Sequence, residues 1–113
     1  MYDNLLAWQR SYEFTLAIYK VTNTYPKEET FGLISQIRRA AASIPVNIAE
    51  GRMRESDKEF KRFLYIARGS MAEVEVWLKL SLDLGYFDES LFIKLRGQIG
   101  EIGKLISGLI KSL

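Results

Sequence analysis

The chain has 113 residues, 16 basic against 14 acidic, a net charge of +2 and 48% apolar residues. That is enough for one domain with a modest core, and too apolar for a disordered chain. Cysteine and histidine are both absent, which excludes disulfides, thiolate metal sites, the familiar catalytic triads and zinc centres.

The N-terminal MYDNLLAWQR carries an early acid and no basic leader, unlike a secretory signal. No apolar run approaches the ~18 residues of a membrane span. The expectation is a cytoplasmic protein that does not enter a membrane.

Apolar residues recur at three- and four-residue spacing along the whole chain, the period of amphipathic helices. The first helix is expected from about Asn4 to Asn23, with Asp3 as its N-cap. It carries two apolar stripes. Leu5, Trp8, Tyr12, Leu16 and Tyr19 form one, and Phe14, Ile18, Val21 and Tyr25 the other. A monomer's surface helix needs one such stripe, so two imply a partner as well as a core. Pro26 disfavours helical geometry at Tyr25 and ends the helix. Glu28 and Glu29 suit the positive end of the next one.

The second helix is expected from about Glu29 to Glu50, with Leu33, Ile37, Ala40, Ile44 and Ile48 facing the core. Pro45 removes a backbone donor and predicts a kink, helped by a back-bond from Ser43. Ala40, Ala41 and Ala42 allow a neighbouring helix to come close. Gly51 is read as the left-handed residue that stops the helix.

The third helix opens at Ser56, whose spacing to Glu59 is that of a capping box. It runs to Leu84, where Gly85 ends it. Phe60, Leu64, Ala67, Met71, Val74 and Leu78 form its core stripe, and the small Gly69 and Ser70 suggest a close crossing or a mild bend. The fourth helix starts at the N-cap Asp88. Its seam is Phe92, Leu95, Ile99, Ile102, Ile106, Leu109 and Leu113, and its glycines, Gly97, Gly100, Gly103 and Gly108, are read as close-packing positions. Four long helices with short connections predict an all-α, antiparallel up-down-up-down four-helix bundle over residues 1–113, kinked near Pro45.

Catalytic and cofactor signatures are missing. There is no Glu-x-x-His pair for a di-iron site and no phosphate-cradling glycine loop after a strand. No cofactor or metal is expected, and no enzyme activity.

The charge distribution is more informative. Residues 38–68 hold eight Lys or Arg against four Asp or Glu. In a hairpin turning near residue 53, Arg39 lies near the level of Arg68. Arg38, Arg39, Arg52, Arg54, Lys58, Lys61, Arg62 and Arg68 are the candidate contacts to phosphates. A solvated face with local pairs, Asp57 with Lys61 and Glu59 with Arg62, fits the same residues. Among the aromatics, Trp8, Tyr12, Tyr19 and Trp77 read as core or interface, while Tyr65 falls among the basic residues and is placed to stack on bases.

Two segments carry a resemblance, FGLISQIRRAAASIPVNIAEG and the pattern R-x-S-x-x-E-F-x-R-F-L-x-I-A-R-G-S-x-x-E from Arg54 to Glu73. They resemble the four-helix-bundle proteins related to the 23S ribosomal RNA intervening-sequence protein. The resemblance covers Trp8 to about Phe87. It implies a homopentameric ring. It also implies kinship with the accessory protein of diversity-generating retroelements, which binds nucleic acid and the reverse transcriptase through basic surface. Arg38, Arg39, Ser43, Pro45, Asn47, Glu50 and Gly51 match the family pattern in helix two. Ser56, Glu59, Phe60, Phe63, Gly69, Ser70 and Glu73 match it in helix three. The expected function is a non-enzymatic oligomeric scaffold on structured RNA or DNA. The alternative is a protein-interaction adaptor, such as an accessory subunit for a reverse transcriptase, with no nucleic-acid contact of its own.

Overall fold

Four helices carry the fold: α1 (Leu6–Thr22), α2 (Leu33–Arg52), α3 (Asp57–Asp83) and α4 (Glu89–Ser112). The computed structural model describes residues 2–113. Short 3-10 turns at Tyr2–Asn4 and Lys27–Glu29 precede α1 and α2. α1 is the neighbour of α2 and α4, and α3 of α2 and α4, whereas the backbones of the two diagonal pairs do not approach within 8 Å among the described residues. The bundle measures 43 × 25 × 20 Å.

The expected core stripes are the observed ones. Ile37, Ile44 and Ile48 from α2, Leu64, Val74 and Leu78 from α3, and Ile99 and Ile106 from α4 are completely buried. From α1, Phe14 and Ile18 join them while Tyr12, Leu16 and Tyr19 remain about half exposed. One stripe of α1 thus builds the core, while of the other Leu5 and Trp8 pack partly buried against it and Tyr12, Leu16 and Tyr19 lie on the surface.

Helix ends follow local chemistry, with two shifts from expectation. α1 begins at Leu6, and its N-cap position is Leu5, which has no side-chain oxygen to offer. Asp3 lies in the preceding turn, where its carbonyl accepts a bond from Gln9 Nε2. α2 begins at Leu33, four residues later than expected, because residues 27–29 wind as a 3-10 turn. Glu29 still serves the helix end, since its Oε1 accepts from the Leu33 N–H at 3.2 Å. Its Oε2 accepts from the Tyr86 hydroxyl at 2.6 Å. That bond first, and the Leu33 bond second, hold the Glu29 carboxyl below the usual range. Ser56 caps α3 by accepting from the Glu59 N–H, and Asp88 caps α4 by accepting from the Leu91 N–H. Gly85 (φ +77°) ends α3 in a Schellman motif, with Tyr86 N–H on Ser81 O and Gly85 N–H on Leu82 O.

Gly51 does not stop α2. It lies inside the helix, its φ is not positive, and the cap falls at Met53. Its role is proximity. A Cβ there would sit 2.6 Å from Phe63 Cβ and 3.0 Å from Phe60 Cδ1. The glycines of α4 are corrected in the opposite sense. A Cβ on Gly97, Gly100 or Gly108 would meet nothing within 4 Å, and only Gly103 is close to a neighbour, Met71 Cε at 2.9 Å. Gly69 is open as well, so the close crossing expected at Gly69 and Ser70 involves Ser70 alone.

α2 runs through Pro45, which is buried. Proline at 45 leaves the Ala41 carbonyl without its usual helical donor. The Thr15 hydroxyl of α1 reaches that carbonyl at 3.2 Å while also bonding Ser11 O at 2.8 Å. Ser43, expected to bond back within its own helix, instead pairs with Ser70 Oγ across the α2–α3 interface at 2.8 Å.

This packing can be tested at two places. Gly51→Ala should lower stability by about 1–3 kcal/mol through overpacking, although alanine is the better helix former. Gly69→Ala, in open space, should raise it by about 0.5–1 kcal/mol. Urea unfolding of the two variants checks the contrast, and a gain at both sites would refute the close approach. Thr15→Val should cost about 1–2 kcal/mol by orphaning the Ala41 carbonyl. In a Pro45→Ala background, where residue 45 regains its N–H, most of that cost should vanish, which a double-mutant cycle measures.

Candidate nucleic-acid interface

Contacts between α2 and α3 set the relative level of the basic residues on these two helices. Arg39 Nη2 reaches Glu73 Oε2 at 3.1 Å, Ser43 pairs with Ser70, and Gly51 lies against Phe60 and Phe63. Facing residues therefore differ from the expected register. Arg39 stands level with Glu73, one helical turn beyond Arg68, because residues 53–56 are all used in making the turn.

The eight candidate residues divide into three groups. Arg38 and Arg39 hold helices together. The Arg38 guanidinium donates to Thr22 Oγ1, Tyr19 O and Asn23 Oδ1, and stacks 4.5 Å from the Tyr19 ring centroid. Arg39 is divided between Gln36 and Glu73. Arg54 and Arg62 form the second group. Each is paired with a carboxylate of its own neighbourhood, Glu50 at 3.6 Å and Glu59 at 3.3 Å. Both lie over the Phe63 ring, at 4.9 and 4.7 Å. Arg52, Lys58, Lys61 and Arg68 make up the third, and none of them takes part in an ion pair among the described residues. The expected Asp57–Lys61 pair does not form, while the Glu59–Arg62 pair does.

Several of the matched positions meet at the same interface. Asn47 Nδ2 donates to both Ser43 O and Ser43 Oγ, which continues the Ser43–Ser70 link. Glu73 Oε2 also accepts from Trp77 Nε1 at 3.2 Å. Ser43, Asn47, Gly51, Ser70 and Glu73 thus form one seam that fixes α2 on α3. Glu50 serves Arg54, and Ser56 serves the start of α3.

A further set of cations lies outside the region that the charge distribution along the sequence singles out. Lys104 and Lys111 of α4 line a surface groove of about 760 Å³ together with Arg68, and Gly100, Ser107 and Gly108 leave it open. Lys104 and Lys111 are seven residues apart, on one helix face, and neither is in an ion pair among the described residues. Lys61 is seven residues before Arg68 and shares its face. Arg68 also lies 5.5 Å from the ring centroid of Tyr65, which is half exposed. The unpaired cations Arg68, Lys104 and Lys111, with Lys61 on the face of Arg68, thus gather along one half of the α3–α4 side, with Glu75 the acid among the groove residues. Their seven-residue spacing is legible in the sequence, but α3 and α4 must be brought together before it forms a patch.

Among the described residues no group of three His, Cys, Asp or Glu side chains is placed to hold a metal ion. None of the described helices is long and apolar enough to cross a membrane.

The fold is shared with known proteins. The profile of the 23S rRNA-intervening sequence protein family matches residues 3–108. A crystal structure at 1.70 Å of a protein of unknown function from the S23 ribosomal protein family of Bacteroides thetaiotaomicron is similar in fold, with a TM-score of 0.86 and 29% identity. The similarity covers 98% of this chain and 99% of that one. No curated protein matches the chain. The motif residues of the α2–α3 seam lie within a profile match that spans nearly the whole sequence, and the chain belongs to the 23S rRNA-intervening sequence protein family.

Proposed function

We propose that the protein is a non-enzymatic, homo-oligomeric cytoplasmic scaffold that contacts structured RNA or DNA. The observation that carries the nucleic-acid part is the group of unpaired cations, Lys61, Arg68, Lys104 and Lys111, on one half of the α3–α4 side. Cations without a local carboxylate are free to displace counterions from phosphates, which is the main source of sequence-independent affinity. Half-exposed Tyr65 beside Arg68 adds a surface on which an unpaired base can stack. Arg38 and Arg39 do not belong to this group because their guanidiniums serve the fold.

The oligomeric part is supported by the half-exposed stripe of Tyr12, Leu16 and Tyr19. A pentameric ring is the form that the family resemblance implies. Assembly would repeat the cation group around the ring, so that weak contacts from each copy add together.

The test is fluorescence anisotropy with a labelled RNA hairpin and a DNA duplex at several salt concentrations. The wild-type chain should bind with log-linear salt dependence. Charge reversal at Lys61, Arg68 and Lys104 should weaken binding by at least about tenfold at low salt and flatten the slope by about 0.7–0.9 for each phosphate no longer neutralised. Reversal at Lys20 and Lys27, remote from the cation group, should do neither. Absence of binding at low salt would overturn the nucleic-acid reading and leave a scaffold for proteins.

A further inference from the structure

The groove between α3 and α4 has an order along its length. A Cβ on Gly103 would lie 2.9 Å from Met71 Cε, so residues 71 and 103 stand level. The short connection 84–88 joins α3 to α4, and the two helices pack along each other. From the 71–103 level their residue numbers therefore run in opposite directions. Arg68 of α3 and Lys104 of α4 form one rung across the groove, each within about one turn of that level. Lys61 and Lys111 form a second rung, seven residues further along each helix, or ~10 Å.

The space between the rungs is open. The groove measures about 760 Å³, and Gly100, Ser107 and Gly108 are on its α4 wall. A Cβ on Gly100 or Gly108 would meet nothing within 4 Å, so a ligand can come close to the helix backbone there. On the α3 wall Tyr65 lies between the rungs. It is four residues after Lys61 and three before Arg68, the spacing of one helix face. Its ring is half exposed and 5.5 Å from the Arg68 guanidinium. Beyond the Arg68–Lys104 rung the groove is lined by Glu75, which is in no ion pair among the described residues. A phosphate is thus attracted at two levels and repelled at the third.

This order suits an unpaired strand and not a duplex. Packed helices have axes ~8–10 Å apart, so both rims reach the phosphates of a single strand lying between them. A base can stack on Tyr65 only when it has no partner, because a duplex pairs its bases inward and stacks them on one another. A duplex resting on the rims would meet the same cations and use neither the tyrosine ring nor the open floor.

We infer that the α3–α4 groove holds an unpaired strand of nucleic acid, such as the loop of a structured RNA or DNA, with phosphates at the two rungs and a base on Tyr65. The strand enters at the Lys61–Lys111 end and stops at Glu75. The inference rests on the nucleic-acid reading above and specifies the kind of strand and its path.

Fluorescence anisotropy on the full chain tests it, with labelled single-stranded RNA and DNA of roughly eight nucleotides, within the usual site size of a single-strand groove. A longer blunt DNA duplex is the comparison. Both single strands should bind, since phosphates and base faces are common to them, and at low salt at least about fivefold tighter than the duplex. Tyr65→Ala, at a half-exposed position, should weaken the single strands about fivefold or more and leave the duplex within about twofold. Tyr65→Phe keeps the ring and should bind as wild type. Ser107→Leu fills the groove from an exposed position without changing charge, and it should weaken the single strands and spare the duplex. Circular dichroism checks that each variant is folded. No binding of any probe at low salt would overturn the nucleic-acid reading and the groove together. A duplex bound as tightly as the single strands would overturn the groove alone, and so would single-strand affinity that neither Tyr65→Ala nor Ser107→Leu changes.

Discussion

The fold depends on how closely α2 approaches α3. With a Cβ at residue 51, the Phe60–Phe63 stretch of α3 would have to shift. Along the same seam, fully buried Ala40 and Ala41 keep α2 slim, and the Ser43–Ser70, Asn47–Ser43 and Arg39–Glu73 bonds fix height and rotation. α1 and α4 are then added to a hairpin whose register is already set. Besides accepting from Arg38 at Thr22 and Tyr19, α1 donates the Thr15 hydroxyl to the Ala41 carbonyl that Pro45 leaves free. The proline inside α2 is therefore tolerated through a neighbour rather than within its own helix.

Contacts within the bundle occupy several of the basic residues. An arginine that bonds three groups of another helix and its cap, as Arg38 does, cannot turn to a phosphate without loosening the bundle. Arg54 and Arg62 each have a carboxylate about one turn away and a phenyl ring beneath them. Surface pairs of this kind contribute little to stability, yet they lower the net field that a polyanion would meet. What remains is displaced from the α2–α3 hairpin toward α3–α4, where Lys104 and Lys111 join Arg68.

Helical periodicity makes much of the fold legible. The stripe Leu33, Ile37, Ala40, Ile44 and Ile48, the caps Ser56 and Asp88, and the stop at Gly85 are local signals, and each stands where local chemistry places it. Legibility fails where the reason is distant in sequence. Gly51 looks like a helix stop because the phenylalanines it faces follow nine and twelve residues later. Gly97, Gly100 and Gly108 look like a packing face, but no helix of the same chain covers them. The hairpin register is hidden because the number of residues spent in the turn has no local marker. The cation group is hidden for a related reason: composition over residues 38–68 counts charges along the chain, while a phosphate meets charges across two helices.

The proposed function combines the half-exposed apolar stripe of α1 with the cations of the α3–α4 side, as an assembly that repeats on a polyanion. That account has assembly as its precondition. Sedimentation velocity of the full chain over a dilution series tests it most directly. The account predicts one species larger than a dimer that persists to low-micromolar concentration. A single species of 13.0 kDa at every concentration would contradict it.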